Sequence, residues 1–535
     1  MKQELEQKLA AVVKELFNAE IQVELTRPDE QFGDYATNIA LQLAGKLGKN
    51  PREVAEALCV KLRENLAAQV SDVSVAGPGF INLKLTDKTL IALAAAEPIK
   101  PYAGQEILVE FGDPNPFKEM HIGHLYSYVV GDAICHLLEA AGATVRRLSY
   151  HGDVGLHVAK AIWGMQHKAN DSVDSIGLYY AEGAKAYEQN EQAKQEIDAI
   201  NQQVYAGDPA IKELYDDGKA KSFASFDKTL KQIGVKTDKR YLESESAPIG
   251  LETVRKNTGK VFAESDGAVV YEGERVGLHT RVFITGKGLP TYETKDLGLT
   301  ELKKMDYPNA TKSIIITANE QAEYFKVMLA ALKEINEELA GKTRHLTHGF
   351  VSLSTGKMSS RTGEVYSAND LITDVETAME KLGRGNAAEI KLGAIKYAFT
   401  KHRLGGDLTY DISESVSLEG NSGPYLQYAH ARARSILAKA EVKDKAVDVF
   451  EADERSLLRK LGEYLEAVEL ATSELLPHHI CTYLYELAQK FNSFYEHNRV
   501  LGDSREDVRL QLVQAYADTL KSGLGLLGIT APDHM

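Results

Sequence analysis

Cysteine is scarce in this chain of 535 residues. Cys59, Cys135 and Cys481 lie far apart, and none belongs to a Cys-x-x-Cys pair. That spacing argues against a disulfide framework and a thiolate zinc site, and it fits a reducing compartment. Long apolar runs are missing too: no stretch approaches the roughly 20 residues that span a bilayer, so no membrane partner is expected. The opening stretch MKQELEQKLAAVVKELF reads as an amphipathic helix with acids in its first turn. It lacks the charged-then-apolar layout of a secretory signal, which points to the cytoplasm. Low-complexity tracts and short-period repeats are absent. Positive charge is in deficit, with 62 Lys and Arg against 77 Asp and Glu and a net charge of −15. This excludes a protein that holds nucleic acid by bulk positive charge alone and leaves a local basic face open.

What is present is ordinary globular composition, 44% hydrophobic and 26% charged, in a chain long enough for three or four domains. Residues 1–100 read as a small unit. Helical patterns at 4–17 and 51–66 precede a strand-like GPGFINLKL at 77–85, and a Pro-bounded linker follows at 94–104. Residues 105–160 read as strand, helix, strand: ILVEF at 107–111, a helix from about Gly123 to Ala140 capped by Gly142, and TVRRLSY at 144–150. That spacing predicts a parallel sheet with a right-handed crossover. Residues 166–240 read as a helical insertion. Residues 259–285 read as hairpins turning at Asp266-Gly267. A helix, the strand SIIIT at 313–317 and another helix follow, and 389–440 and 452–530 are almost wholly helical by pattern.

Two clusters carry chemistry. The first, VEFGDPNPFKEMHIGH at 109–124, lies between a predicted strand and the start of a helix. Ligands of open α/β sheets bind beyond the carboxyl ends of such strands, and a helix N-terminus offers free N–H groups to a phosphate. His121 and His124 are three apart and can face the same way, and Gly123 leaves room for a ring or phosphate. The second, STGKMSSRTG at 354–363, is a glycine-bounded loop whose Lys357, serines and Arg361 suit a polyphosphate. Each alone is also compatible with a solvated loop.

Together, about 235 positions apart, they resemble the HIGH and KMSKS signatures of class I aminoacyl-tRNA synthetases. GDYATN (33–38), GPGFINLKL, YHGDVG (150–155), YLESES (241–246), TYETKDLG (291–298), EGNSGPYLQYAHARARSIL (419–437) and LGLLGITAPDHM (524–535) narrow the resemblance to the arginyl-tRNA synthetases, over nearly the whole chain. The resemblance implies a Rossmann-type α/β parallel-sheet catalytic domain at 101–400. A small α+β N-terminal domain at 1–100 would contact the tRNA elbow, and an all-α anticodon-binding bundle would fill 401–535. It implies activation of L-arginine with ATP and Mg2+, and transfer to the 2′-hydroxyl of the terminal adenosine of tRNA(Arg). Activation commonly needs the tRNA. A monomer without structural zinc or any other resident metal is expected.

By the same resemblance, His121, Gly123, His124, Lys357, Met358, Ser359 and Arg361 would hold ATP. Ser360 stands where KMSKS has its second lysine, and Lys118, just before HIGH, would supply the catalytic cation with Lys357 and the two histidines. Glu110, Asn115, Tyr292 and Asp296 would bind arginine, the two acids meeting the guanidinium. At 318–325, ANEQAEYF, the family's His-x-x-Gln falls on Glu320 and Glu323. Either Glu323 accepts from the substrate ammonium or the register is different. Val154 stands where the family commonly has tryptophan. For tRNA, Phe80 and Asn82 would stack on and hydrogen-bond a flipped-out base, unless Phe80 is core. Tyr425, Tyr428 and Arg432 would face the anticodon side, on a helix whose aromatics could equally point inward. The alternatives are another HIGH-bearing adenylate-forming enzyme, or a catalytically silent tRNA-binding relative.

Overall fold

The computed structural model describes residues 1–167, 176–355, 366–383, 388–443 and 449–535. Its centre is a five-stranded parallel sheet in the order Thr343–His348, Ala310–Ala318, Glu106–Glu110, Thr144–His151, Lys239–Leu242. Ile107, Leu108 and Val109, and likewise Ile314, Ile315 and Ile316, are buried in succession, as expected of parallel strands covered on both faces. The helix Ile122–Ala140 follows the central strand and is buried on nearly every side. It stops where expected: Gly142 adopts φ 93° and donates to the Glu139 carbonyl, a left-handed cap that a side chain would resist.

The helix lies unusually close to its strand because Gly131 has no side chain. A Cβ there would sit 2.2 Å from the Phe111 ring. One residue on, Asp132 meets Lys396 of the helix Ala388–Thr400 at 3.3 Å and His136 at 3.4 Å. Gly528 of the C-terminal tail lies against the same three side chains.

Helices Ile176–Gln189, Glu191–Ala206 and Pro209–Ile233 fill most of the insertion between the second and third strands in chain order. The expected hairpin turns at Asp266 and Gly267, both at positive φ (48° and 78°), within a three-stranded antiparallel sheet. Two readings change. The N-terminal strand begins at Phe80, because Gly77 and Gly79 at positive φ make a turn of the preceding residues. Residues 389–440 are not continuously helical: Leu408–Tyr410 is a strand pairing in parallel with Val351–Leu353.

The N-terminal unit is an antiparallel sheet in the order Tyr35–Thr37, Phe80–Leu85, Val70–Ala76, covered by helices that include Lys2–Phe17 and Pro51–Asn65. Its core (Leu5, Leu58, Leu83) is continuous with that of the C-terminal helices (Leu457, Leu484, Phe491). The two ends of the chain therefore form one apolar body beside the sheet.

Gly131→Ala should test the helix–strand approach. Alanine is the better helix former by about 1 kcal/mol, yet the overlap with Phe111 should cost more, for a net loss of about 1–3 kcal/mol. A lowered melting temperature is the expected result.

Candidate active site

The loop leaving the central strand is held in a conformation it would not choose alone. Asp113 and Phe117 both have positive φ (52° and 66°), uncommon for residues with side chains. The next strand ties them down. Asp113 accepts from the Tyr150 N–H at 2.7 Å, and Asn115 Oδ1 accepts from the Gly152 N–H at 2.9 Å. The Pro114 carbonyl faces His151 Nδ1 at 2.6 Å. The Phe117 N–H donates to Ser222 of the insertion at 2.8 Å. Burial pushes His151 down to about 4, so the ring is neutral and its Nδ1–H donates to the carbonyl. Asp153 of the same YHGDVG segment accepts from the N–H of Ser244 and from the hydroxyl of Tyr215. That motif is thus the brace of the loop.

The loop delivers His121 as N-cap of the Ile122–Ala140 helix. His121 Nδ1 accepts from the Gly123 N–H at 3.1 Å, and His124 Nδ1 accepts from the His121 N–H at 3.2 Å. The rings stack at 3.6 Å. Burial, with Lys118 and His348 nearby, lowers His121 to about 4. Burial and the neighbouring His121 hold His124 well below the usual range. With each Nδ1 accepting, both neutral rings carry their proton on Nε2. They line a cavity of about 410 Å3 with Gly112, Ala318, Gln321 and Tyr366. The Lys118 ammonium sits 4.8 Å over the Tyr180 ring of the insertion. Lys357, Met358, Ser359 and Arg361 lie outside the described residues.

Beside this cavity is a buried acid cluster. Glu110 and Asp296 are both buried, and Glu110 pairs with Lys303 at 2.5 Å. Asp296 and Lys303 share a face of the helix Tyr292–Asp306. Burial and the Glu110 charge push Asp296 and Asp113 well above the ordinary carboxylate range, and the Tyr324 hydroxyl hydrogen-bonds Asp296. Lys295, next along the helix, is spent on Glu243 at 2.6 Å. Tyr292 is 66% exposed at the helix start, its ring 4.9 Å from the Lys295 ammonium.

The structure does not bring Glu323 to this cluster. Its carboxylate is exposed and pairs with Lys326 at 2.7 Å. A 3-10 turn, Asn319–Gln321, precedes the helix Ala322–Ile335. That phasing turns Gln321 and Tyr324 toward the site and Phe325 into the core, which faces Glu323 outward. Lys303 was not anticipated, although its spacing of seven from Asp296 already placed both on one helical face.

Two surfaces elsewhere carry the remaining candidates. Phe80 is 42% exposed and not core. With the buried Asn82 it lines a cleft of about 650 Å3 that also contains Phe32, 47% exposed. On the helix Gly423–Leu437, Tyr428 (45% exposed) and Arg432 face outward one turn apart, the guanidinium 4.7 Å over Tyr495. Tyr425 is half-buried, its hydroxyl bonded by Asn492 at 2.8 Å. Among the described residues no group of three or more His, Cys, Asp or Glu is placed to hold a metal ion.

Comparison with known proteins matches three family models in succession. Residues 1–85 match "Arginyl tRNA synthetase N terminal domain". Residues 89–397 match "tRNA synthetases class I (R), catalytic domain", and 426–535 match "DALR anticodon binding domain". The chain is 31% identical to the arginine–tRNA ligase of Limosilactobacillus reuteri (strain DSM 20016), covering 100% of both. It is 29% identical to that of a Bacteroides fragilis strain, covering 96% of each. The solved arginyl-tRNA synthetase of Thermus thermophilus is similar with a TM-score of 0.85 at 26% identity over the whole of both chains. That of Plasmodium falciparum shares the fold, with a TM-score of 0.82 at 22% identity, covering 100% of this chain and 99% of its own.

The lowered histidines set a pH dependence. In the unfolded chain His121 takes a proton near pH 6.5, and in the fold only near 4. The unfolded state therefore binds more protons between those values, and stability falls as pH drops through that window. His121→Asn keeps an N-cap acceptor and removes the titration. Its melting temperature should fall less between pH 7 and 5 than that of the parent, and equal slopes would rule out a neutral His121.

Proposed function

The chain belongs to the arginyl-tRNA synthetase family, and on that premise we propose how its residues perform the activation of L-arginine with ATP and the charging of tRNA that it carries out. The observation that carries the assignment is the buried acid cluster, with more carboxylates than cations, opening beside a cavity lined by two neutral histidines. A guanidinium supplies the missing positive charge and presents its planar donors edge-on to Asp296 and Glu110. Lys303 pairs with Glu110. Asn115 Oδ1 is already taken by Gly152, so Nδ2 is the atom left to meet the arginine carboxylate. Tyr292 closes the outer side, and Gln321 takes the place expected of Glu323.

ATP, with its Mg2+ as part of the substrate, occupies the cavity. The phosphates lie at the N-terminus of the Ile122–Ala140 helix, where the positive end of the helix dipole and the two Nε2–H donors converge. An arginine carboxylate oxygen attacks the α-phosphorus, and the bond to the bridging oxygen of pyrophosphate breaks. The 2′-hydroxyl of the tRNA's terminal adenosine then attacks the adenylate carbonyl, and AMP leaves. Catalysis here is positioning and charge stabilisation, with no covalent enzyme intermediate. Lys118 balances charge on the phosphates as pyrophosphate departs, releasing Tyr180. Lys357, Met358, Ser359 and Arg361 are assigned to the polyphosphate on their motif. Phe80 and Asn82 read the tRNA elbow, and Tyr428 and Arg432 face its anticodon end. Residues 1–100, 101–400 and 401–535 divide these tasks, in a cytoplasmic monomer without structural zinc. Among the described residues no helix is long and apolar enough to cross a membrane.

Two variants test the assignment. Asp296→Asn should weaken arginine binding about 10- to 100-fold, the worth of a hydrogen bond to a charged group, and leave ATP affinity intact. Because the Asp296 pKa is raised and the guanidinium needs the carboxylate, arginine affinity in the parent should rise with pH. Calorimetry in buffers of different ionisation enthalpy should show proton release on binding, reduced in Asp296→Asn. Unchanged arginine affinity would remove Asp296 from the site. Lys118→Ala should lower the activation rate about 10²- to 10³-fold, measured with tRNA present, and change the ATP dissociation constant little. Equal losses in both would assign Lys118 to ground-state binding instead.

A further inference from the structure

The stretch from Thr26 to Asn38 faces two ways. Thr26, Pro28, Phe32, Thr37 and Asn38 line the cleft that also contains Phe80 and Asn82. The residues between them point to the C-terminal bundle. Arg27 pairs with Glu466 at 2.5 Å, and the Tyr35 hydroxyl donates to the same carboxylate. Glu30 accepts from Ser456 and Lys490 at 2.8 and 2.9 Å. Asp34, fully buried, accepts from the Leu85 N–H at 2.7 Å and is clasped by Arg455 at 2.7 Å and Arg459 at 3.3 Å.

Both arginines come from one helix, Ala452–Leu461, and both also hold backbone. Arg459 donates to the Pro28 carbonyl at 2.8 Å, and Arg455 to that of Leu85 at 3.1 Å. One therefore grips the cleft wall, and the other the strand that carries Phe80 and Asn82.

Adhesion does not require this. The apolar core already runs unbroken between the two units. Buried ion pairs seldom add net stability, because desolvation offsets attraction, whereas fixing a register is their best-attested use. A guanidinium held by a carboxylate and a carbonyl together permits one orientation where apolar contact alone permits many.

We propose that Arg455 and Arg459 are positioning residues for tRNA recognition. They hold the Phe32 wall against the Phe80–Asn82 strand, so that a base from the tRNA elbow is stacked by two aromatic side chains, Phe32 as well as Phe80. The proposal rests on the reading of this cleft as a tRNA contact. It makes elbow recognition depend on a helix of the anticodon-side bundle. The cleft then stands at a fixed distance from Tyr428 and Arg432, and one rigid body measures both parts of the tRNA.

A double-mutant cycle on the full chain tests it, with the dissociation constant of a tRNA(Arg) transcript as readout. Phe32→Ala should weaken binding about tenfold, the scale of one lost base–aromatic stack. It should raise KM for tRNA and leave kcat at saturating tRNA unchanged. Arg455→Met should weaken binding by a similar factor, Arg455→Lys should recover part of it, and the double variant should bind no worse than the weaker single. If Arg455→Met does not fold, Lys490→Met, which severs the partly exposed links of Lys490 to Glu30 and Ser456, replaces it in the cycle. Losses that multiply in the double variant would overturn the positioning role. So would wild-type tRNA affinity in the Arg455 variant, or in the Lys490 variant where it stands in. Wild-type affinity in Phe32→Ala with a loss in Phe80→Ala would overturn the two-sided stack. Wild-type affinity in both phenylalanine variants would instead refute the cleft as a tRNA contact.

Discussion

Negative charge kept in a dry pocket is the constraint around which this molecule is arranged. Burial and the Glu110 charge raise the affinity of Asp113 and Asp296 for protons, and Lys303 is the cation on Glu110. Carboxylates so placed repel and resist ionising unless a cation joins them. The surrounding fold must therefore hold them where they would not stay unaided. Glu110 ends the central strand of the sheet, Asp296 sits in the first turns of a buried helix, and Asp113 is pinned by the Tyr150 N–H. On the proposed reading a guanidinium relieves the imbalance before any contact to the rest of the substrate forms.

The nucleotide side solves the opposite problem. Polyphosphate needs donors and positive potential, yet a buried charged histidine pair would repel itself. The two rings are kept neutral by burial and by N–H groups aimed at their Nδ1 atoms, which leaves both Nε2–H groups as donors. The Lys118 ammonium, close enough to His121 to lower it further, rests on an aromatic face of the insertion. The acid pocket and the donor pocket share one loop, 111–124, so the same stitches to the neighbouring strand position both substrates.

A net charge of −15 is compatible with tRNA binding because contacts are concentrated on small surfaces. Stacking on exposed aromatics tolerates an acidic protein in a way that bulk phosphate attraction does not. The shared core of the first and last units, with the Asp34–Arg455 and Arg27–Glu466 pairs across it, makes one scaffold of two domains that are more than 300 residues apart in sequence.

Local periodicity and contiguous motifs carried a great deal. The strand–loop–helix around HIGH, the cap at Gly142 and the Asp266-Gly267 hairpin could all be read from residues near one another in the chain, because backbone geometry and helical spacing are local properties, whereas Glu110 and Asp296 are named only through the family resemblance. Glu323 could not be placed this way. Each residue turns a helix by about 100°, so a register off by one or two positions exchanges Glu323 for Tyr324 or Gln321. Tyr425 reads together with Tyr428 and Arg432, and only packing half-buries it, its hydroxyl taken by Asn492. The sequence alone determined the fold class and the chemistry, since both follow from short-range pattern. Tertiary structure decided which polar side chains serve the substrate and which, like Asp34, His151 and Asp153, hold the frame. That choice depends on partners from 37 to 421 residues away, whose approach no local pattern encodes.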